Sequence, residues 1–123
     1  MILGVTGGRD FKLSEEGVRV FSEMLLQYDP SFVFHGDAKG IDTDCARVAK
    51  SYGKPVQALP ADWEYYDVSA GPIRNTALVK CIQILIAFPG GKGTNDCFNK
   101  AKSRMLVVID LRDRMDLVEK ITP

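Results

Sequence analysis

Short apolar runs alternate with stretches of helical period along the chain, and this alternation constrains the fold more than any other feature. ILGVT (residues 2–6), SFVFH (31–35), PVQALP (55–60), IQILIAF (82–88) and MLVVID (105–110) each read as a strand. Between them lie LSEEGVRVFSEMLLQY, IDTDCARVAKSYG, GPIRNTALVK and GTNDCFNKAK, which read as helices. FVFH, ILIAF and LVVI are apolar at consecutive positions, as in strands covered on both faces; a sheet with one wet face would alternate. Strand, helix, strand, helix therefore predicts a doubly wound α/β fold, about five mostly parallel strands with helices on both faces. At 123 residues the chain is expected to be a single domain, residues 1–123.

Local signals refine the helices. Val18, Phe21, Leu25 and Tyr28 form one stripe, with Ser14 as the expected cap. That stripe suits either the core or a homodimer face. In the second helix Ile41, Cys45, Val48 and Tyr52 share a face, Asp42 and Asp44 occupy the first turn, and Gly53 follows the end. The third helix is expected to open with Gly71 at the cap and Pro72 at the first helical position. A short terminal helix is expected near residues 116–121.

Composition excludes several classes. Lys+Arg and Asp+Glu number 16 each, a balance that argues against a protein that wraps a nucleic-acid backbone. The 3 cysteines are odd in number and lack paired CxxC spacing, so reduced thiols are expected, with neither a disulfide framework nor a metal site. MILGVTGG is too short for a signal peptide and lacks a basic leader. No run approaches the ~20 apolar residues that span a bilayer. A cytoplasmic protein with no membrane partner is expected.

Three strands end in glycine-rich segments. Gly7, Gly8, Arg9 and Asp10 follow the first; Gly36, Asp37, Lys39 and Gly40 follow the second; Pro89, Gly90, Gly91, Lys92, Gly93 and Thr94 follow the fourth. In a parallel sheet all three lie outside the carboxyl ends of the strands, where ligands bind in such folds. Glycine lets backbone N–H groups converge on one concavity. Each segment also opens a helix, whose first N–H groups lack internal partners and whose dipole favours anions. Lys92, Lys39, Arg9 and Arg74 can add full charges. The ligand expected is a phosphate-bearing, nucleotide-like small molecule. GxxxxGK[ST] and GxGxxG are both absent, and no cofactor is expected.

Single residues carry paired readings. Arg9 and Asp10 suit a local ion pair or a ligand contact. Asp37 suits an Asx-turn or a ribose-hydroxyl acceptor. Asp42 is a good helix-start acid that faces the same edge. His35, the one histidine, suits a satisfied strand-end residue better than a base. Arg74 and Asn75 read as first-turn residues, where arginine opposes the dipole, and that misfit favours a functional Arg74. Trp63, Tyr65 and Tyr66 can stack on a base or cover the core. Cys97 reads as a buried, inert thiol.

GGRDF, HGDAKGIDTDCA, DW followed by AGPIRN, and AFPGGKGT resemble, in order over residues 5–94, the SLOG superfamily, and within it the small YspA-like branch related to the LOG phosphoribohydrolases and the DprA/Smf proteins. The resemblance implies a Rossmann-like fold whose ligands are nucleotides and their derivatives. LOG enzymes release a base from a nucleoside 5′-monophosphate and carry PGGxGTxxE plus an upstream arginine at a helix start. Pro89, Gly90, Gly91, Gly93 and Thr94 match that loop, and Arg74 resembles the upstream arginine. The last motif position, a glutamate in the hydrolases, is Cys97. N-glycosidic cleavage needs a carboxylate to stabilise an oxocarbenium-like state or activate water. Asp96 lies one residue earlier, turned by ~100° on an ideal helix.

Three functions follow as expectations. The first is a nucleotide-derivative binding domain that senses or carries its ligand. The second is an N-glycosidic hydrolase using Arg74 and Asp96, with Asp37 in reserve. The third is a single-stranded nucleic-acid module, which the neutral charge opposes.

Overall fold

A computed structural model describes residues 1–122. In chain order the elements are β1 (Ile2–Thr6), β2 (Phe11–Leu13), α1 (Glu15–Tyr28), β3 (Phe32–His35), α2 (Ile41–Ser51), β4 (Val56–Ala58), α3 (Trp63–Tyr66), α4 (Ala70–Cys81), β5 (Ile84–Ala87), α5 (Lys92–Ser103), β6 (Val107–Asp110) and β7 (Val118–Lys120). Five strands form one parallel sheet in the order β4-β3-β1-β5-β6. Successive strands step outward from β1 to one edge, then return to its other side at β5. The direction of winding thus reverses between β1 and β5, which opens a crevice beyond their carboxyl ends.

The two-residue period of the strands divides the core. Leu3, Val5, Val33, Ile84 and Ile86 face Phe21 and Leu25 of α1 and Ile41, Cys45 and Val48 of α2. Leu85, with partly buried Ile2, Phe34 and Val108, faces Leu78 and Val79 of α4 and Cys97 and Ala101 of α5. The expected doubly wound fold is the observed one.

The α1 stripe belongs to this core: Phe21 and Leu25 are buried, and the partly buried Val18 and Tyr28 pack against the cluster. Ser14 caps α1 as expected, its Oγ accepting the Gly17 N–H at 3.0 Å. Among the described residues no helix is long and apolar enough to cross a membrane.

Three local expectations fail. The C-terminal segment is a 3-10 turn, Met115–Leu117, followed by β7, which pairs antiparallel with β2. Ser14 donates from N to Leu117 O at 2.9 Å and from Oγ to Asp116 O at 2.6 Å, and Ile121 N donates to Asp10 O at 2.7 Å. These long-range bonds satisfy backbone that a single helical turn would leave open. Tyr52 follows α2 as its C-cap and is 44% exposed, off the buried face. The third expected helix, α4, starts at Ala70 with Ser69 as N-cap, because the 3-10 turn Asp67–Ser69 runs directly into it. Gly71 and Pro72 are therefore its second and third residues, and Arg74 lies beyond its first turn.

Gly17 tests how tightly the C-terminal segment is set. A Cβ there would collide with the Leu117 carbonyl oxygen, which the Ser14 N–H already holds. Alanine gains about 0.5–1 kcal/mol in helix propensity. Overpacking costs about 1–3 kcal/mol, and here the obstacle is backbone. Gly17→Ala is expected to lower stability by about 1 kcal/mol in urea denaturation. A raised midpoint would mean that the Leu117 segment yields freely.

Candidate functional site

The loops after β1, β3 and β5 surround a cleft of about 770 Å³ at the crevice where the winding reverses. Its walls include Gly7, Gly8, Arg9 and Asp10 from the first loop and Gly36, Asp37 and Asp42 from the second. Gly90, Gly91, Lys92, Gly93, Thr94 and Asp96 come from the third loop and α5, and Arg74 and Asn75 from α4. Three expected residues stay outside the walls. Lys39 points into solvent. Gly40 has φ +85°, and a Cβ on it would press on the carbonyls of Gly8, Arg9 and Phe11, so it serves loop packing. Pro89 accepts the Gly8 N–H at 2.8 Å and joins the first and third loops.

The second loop is tied to the third through α4. Arg74 Nη1 donates to the Gly36 carbonyl, and Arg74 Nε donates to Asn75 Oδ1 at 2.9 Å. Asn75 Nδ2 donates to Gly93 O at 3.1 Å and to Asp96 Oδ2 at 3.0 Å. Asp96 Oδ2 also accepts from Lys100 Nζ at 2.9 Å, so its carboxylate is paired within the scaffold. A Cβ on Gly36 would displace the Arg74 guanidinium, which occupies its place.

The two helices that open on the cleft differ electrostatically. α5 starts at Gly91 without a side-chain cap and has no acid in its first turn. Its first N–H groups and dipole are free to meet an anion, with Lys92 beside them. α2 also lacks a side-chain cap, but Asp42 and Asp44 stand in its first turn. Asp44 Oδ2 accepts the Leu13 N–H at 2.8 Å. Asp42 Oδ2 accepts the N–H groups of Gly36 at 3.0 Å and Ala38 at 3.3 Å, while its buried Oδ1 has no partner among the described residues. Burial pushes the Asp42 carboxyl up to about 6, against the pull of these N–H groups and of Arg74.

Other candidates resolve simply. His35 is buried, its Nδ1 accepts the Asp37 N–H at 2.9 Å, and burial lowers its pKa, so the ring is neutral. Asp37 holds a left-handed turn at φ 57°. Cys97 is buried, and burial pushes its thiol up to about 12, which leaves no reactive thiolate. Trp63, half exposed at the mouth, lies against Gly71, with the Arg9 guanidinium 6.0 Å from its ring centroid. Tyr65 and Tyr66 pack edge-on against each other at 4.7 Å and do not line the cleft. Sequence reading missed the apolar walls given by Phe11, Pro60 and Val68, which sit in segments without periodicity. Among the described residues no group of three or more His, Cys, Asp or Glu is placed to hold a metal ion.

Asp42 gives the fold a pH dependence. Its folded pKa of about 6 lies above the ordinary carboxylate value, so the folded state holds the proton more tightly than the unfolded state. Stability therefore falls as pH rises from about 4 through about 6, then levels. Asp42→Asn keeps an acceptor for Gly36 and Ala38 and carries no charge. It is expected to exceed the wild type by about 1–3 kcal/mol at pH 7.5, with the gain vanishing near pH 4, in urea denaturation across that range. A wild type as stable as the variant at pH 7.5 would remove the buried-charge account.

No family model matches the chain. The Gene 61 protein of Mycobacterium phage D29 is 31% identical over 90 residues, which span 67% of this chain and 72% of that protein. Three solved structures share the fold. The structural-genomics target TM1055 superposes with a TM-score of 0.71 at 14% identity, over 93% of this chain and 79% of that one. DNA processing protein A (DprA) from Streptococcus pneumoniae gives 0.68 at 17% identity over 88% of this chain and 49% of its own, so this chain spans about half its length. The molybdenum cofactor carrier protein from Chlamydomonas reinhardtii gives 0.67 at 18% identity, over 89% and 74%. The chain belongs to the family of the phage Gene 61 protein, and its Rossmann-like fold is the one it shares with these three structures.

Proposed function

We propose that the protein binds a nucleotide or nucleotide derivative as a carrier or sensor, with the ligand's phosphate at the start of α5. The observation that carries this reading is the pair Gly91 and Gly93. A Cβ on either would meet nothing within 4 Å, and neither has a φ in the left-handed region. Neither packing nor a left-handed φ asks for glycine there. A ligand that must approach the backbone closely does.

Other features agree. The cleft of about 770 Å³ falls within the ~300–1,000 Å³ range of small-molecule sites. A few charge-assisted hydrogen bonds, each about 1.5–3 kcal/mol, suffice for affinity near micromolar. Trp63 offers a face on which a base can stack at the mouth. One structural neighbour is, by its name, a cofactor carrier, and another is a DNA-processing protein; the two names mark the carrier reading and its nucleic-acid competitor. The net charge of zero favours the first. The hydrolase reading would have to use an Asp96 whose Oδ2 is already held by Asn75 and Lys100.

The test is calorimetric titration with AMP, ADP-ribose and a short single-stranded DNA, against wild type and Gly91→Val. A mononucleotide-like ligand should bind at micromolar levels. Gly91→Val should weaken it about a hundredfold and leave the melting midpoint of the free protein within about 2 °C, because its Cβ has room. Equal affinity in the variant, or binding of the DNA alone, sinks the reading.

A further inference from the structure

We infer that Asp42 is the acceptor for a sugar hydroxyl of the ligand, so that the cleft selects ribose over a deoxy sugar. This rests on the nucleotide reading and deepens it. Asp42 is 5% exposed and lies in the cleft wall. One carboxylate oxygen is spent on Gly36 and Ala38, and the other has no partner among the described residues. A buried acceptor left open is costly, so its partner in the bound state has to be a donor.

The chemistry narrows that donor. A phosphate is excluded, because two anions would meet where little solvent screens them. The phosphate's place is at α5, whose first turn holds no acid. The base belongs at the mouth, where Trp63 is 50% exposed and Arg9 reaches over its ring. Between phosphate and base stands the sugar, and its hydroxyls are the donors that remain.

Spacing agrees with this order. Asp42 holds the loop after β3, and the phosphate loop follows β5, with β1 between those strands. Two strand spacings amount to about 10 Å. A sugar phosphate with a hydrogen bond at each end covers that span. Arg74 lies between the two ends, bonded to Gly36 on one side and, through Asn75, to Gly93 on the other.

The experiment measures calorimetric affinities of AMP, its 2′-deoxy and 3′-deoxy analogues, and inosine 5′-monophosphate, for wild type and Asp42→Asn. One deoxy analogue should bind the wild type at least about tenfold more weakly than AMP, and inosine monophosphate about equally to AMP. In Asp42→Asn, which keeps an acceptor for the loop N–H groups, the sugar gap should shrink to about threefold or less. Equal binding of all three sugars by the wild type, or an undiminished gap in the variant, overturns the inference while the phosphate reading stands. A penalty on inosine monophosphate alone gives Asp42 to the base and overturns it too. If no nucleotide binds the wild type, this inference and the reading beneath it both fall.

Discussion

The contact on which the cleft depends is the Arg74 guanidinium against the Gly36 carbonyl. Parallel strands fix where loops start, not how their tips stand, and the loop after β3 has no strand beyond β4 to lean on. Arg74 reaches across from α4 and takes hold of it. The neighbouring Asn75 carries the tie on to Gly93 at the start of α5. Two consecutive residues of one helix thus hold both the loop at Gly36 and the start of α5 at Gly93, which are 57 positions apart in sequence (93 − 36). Loops held before a ligand arrives lose less conformational freedom when it binds. The same contact explains Gly36, whose side chain would displace the guanidinium.

With the loops held, the cleft acquires polarity. Two helices start in it without side-chain caps, yet only α2 carries acids in its first turn. Asp44 is spent on the β2 backbone and Asp42 on the loop it follows. An anion gains at α5 and loses at α2, so a ligand with one charged end has one way to lie. That orientation has a cost in stability, because the Asp42 carboxylate is buried with half of its hydrogen-bonding capacity unmet. Natural proteins keep such destabilising groups where function needs them.

Much of this was legible in the sequence, for reasons that also mark the limit. Short apolar runs gave the five parallel strands, most plainly at the central β1 and β5, which are buried along nearly their whole length and leave no alternation to misread. The glycine clusters pointed to the edge where the cleft lies, because strand direction decides where every loop in a parallel sheet falls. The β2–β7 ribbon was not legible: FKL and VEK are three residues each, too short for a period, and they pair across more than a hundred positions. Lys39 and Gly40 read as ligand residues because their segment resembles a phosphate loop, but one faces solvent and the other packs under the β1 loop. Asp42 looked like any acid at a helix start, and only its burial and its unpartnered oxygen separate it from Asp44.

Cys97 shows how the site differs from the hydrolases that the sequence resembles. The position that would hold a glutamate is fully buried beside Leu78, Leu85 and Ala101. A thiol fits that environment as a small apolar group, and burial keeps it protonated. A carboxylate in its place would need a counter-charge or a path to the cleft. The nearest residue in sequence, Asp96, is bound to Asn75 and Lys100 and so steadies the first turns of α5. The buried carboxylate oxygen left without a partner among the described residues is Asp42 Oδ1, at the α2 end of the cleft, across from the start of α5. The cleft thus has two unlike ends, open helix N–H groups at α5 and a buried acceptor at α2.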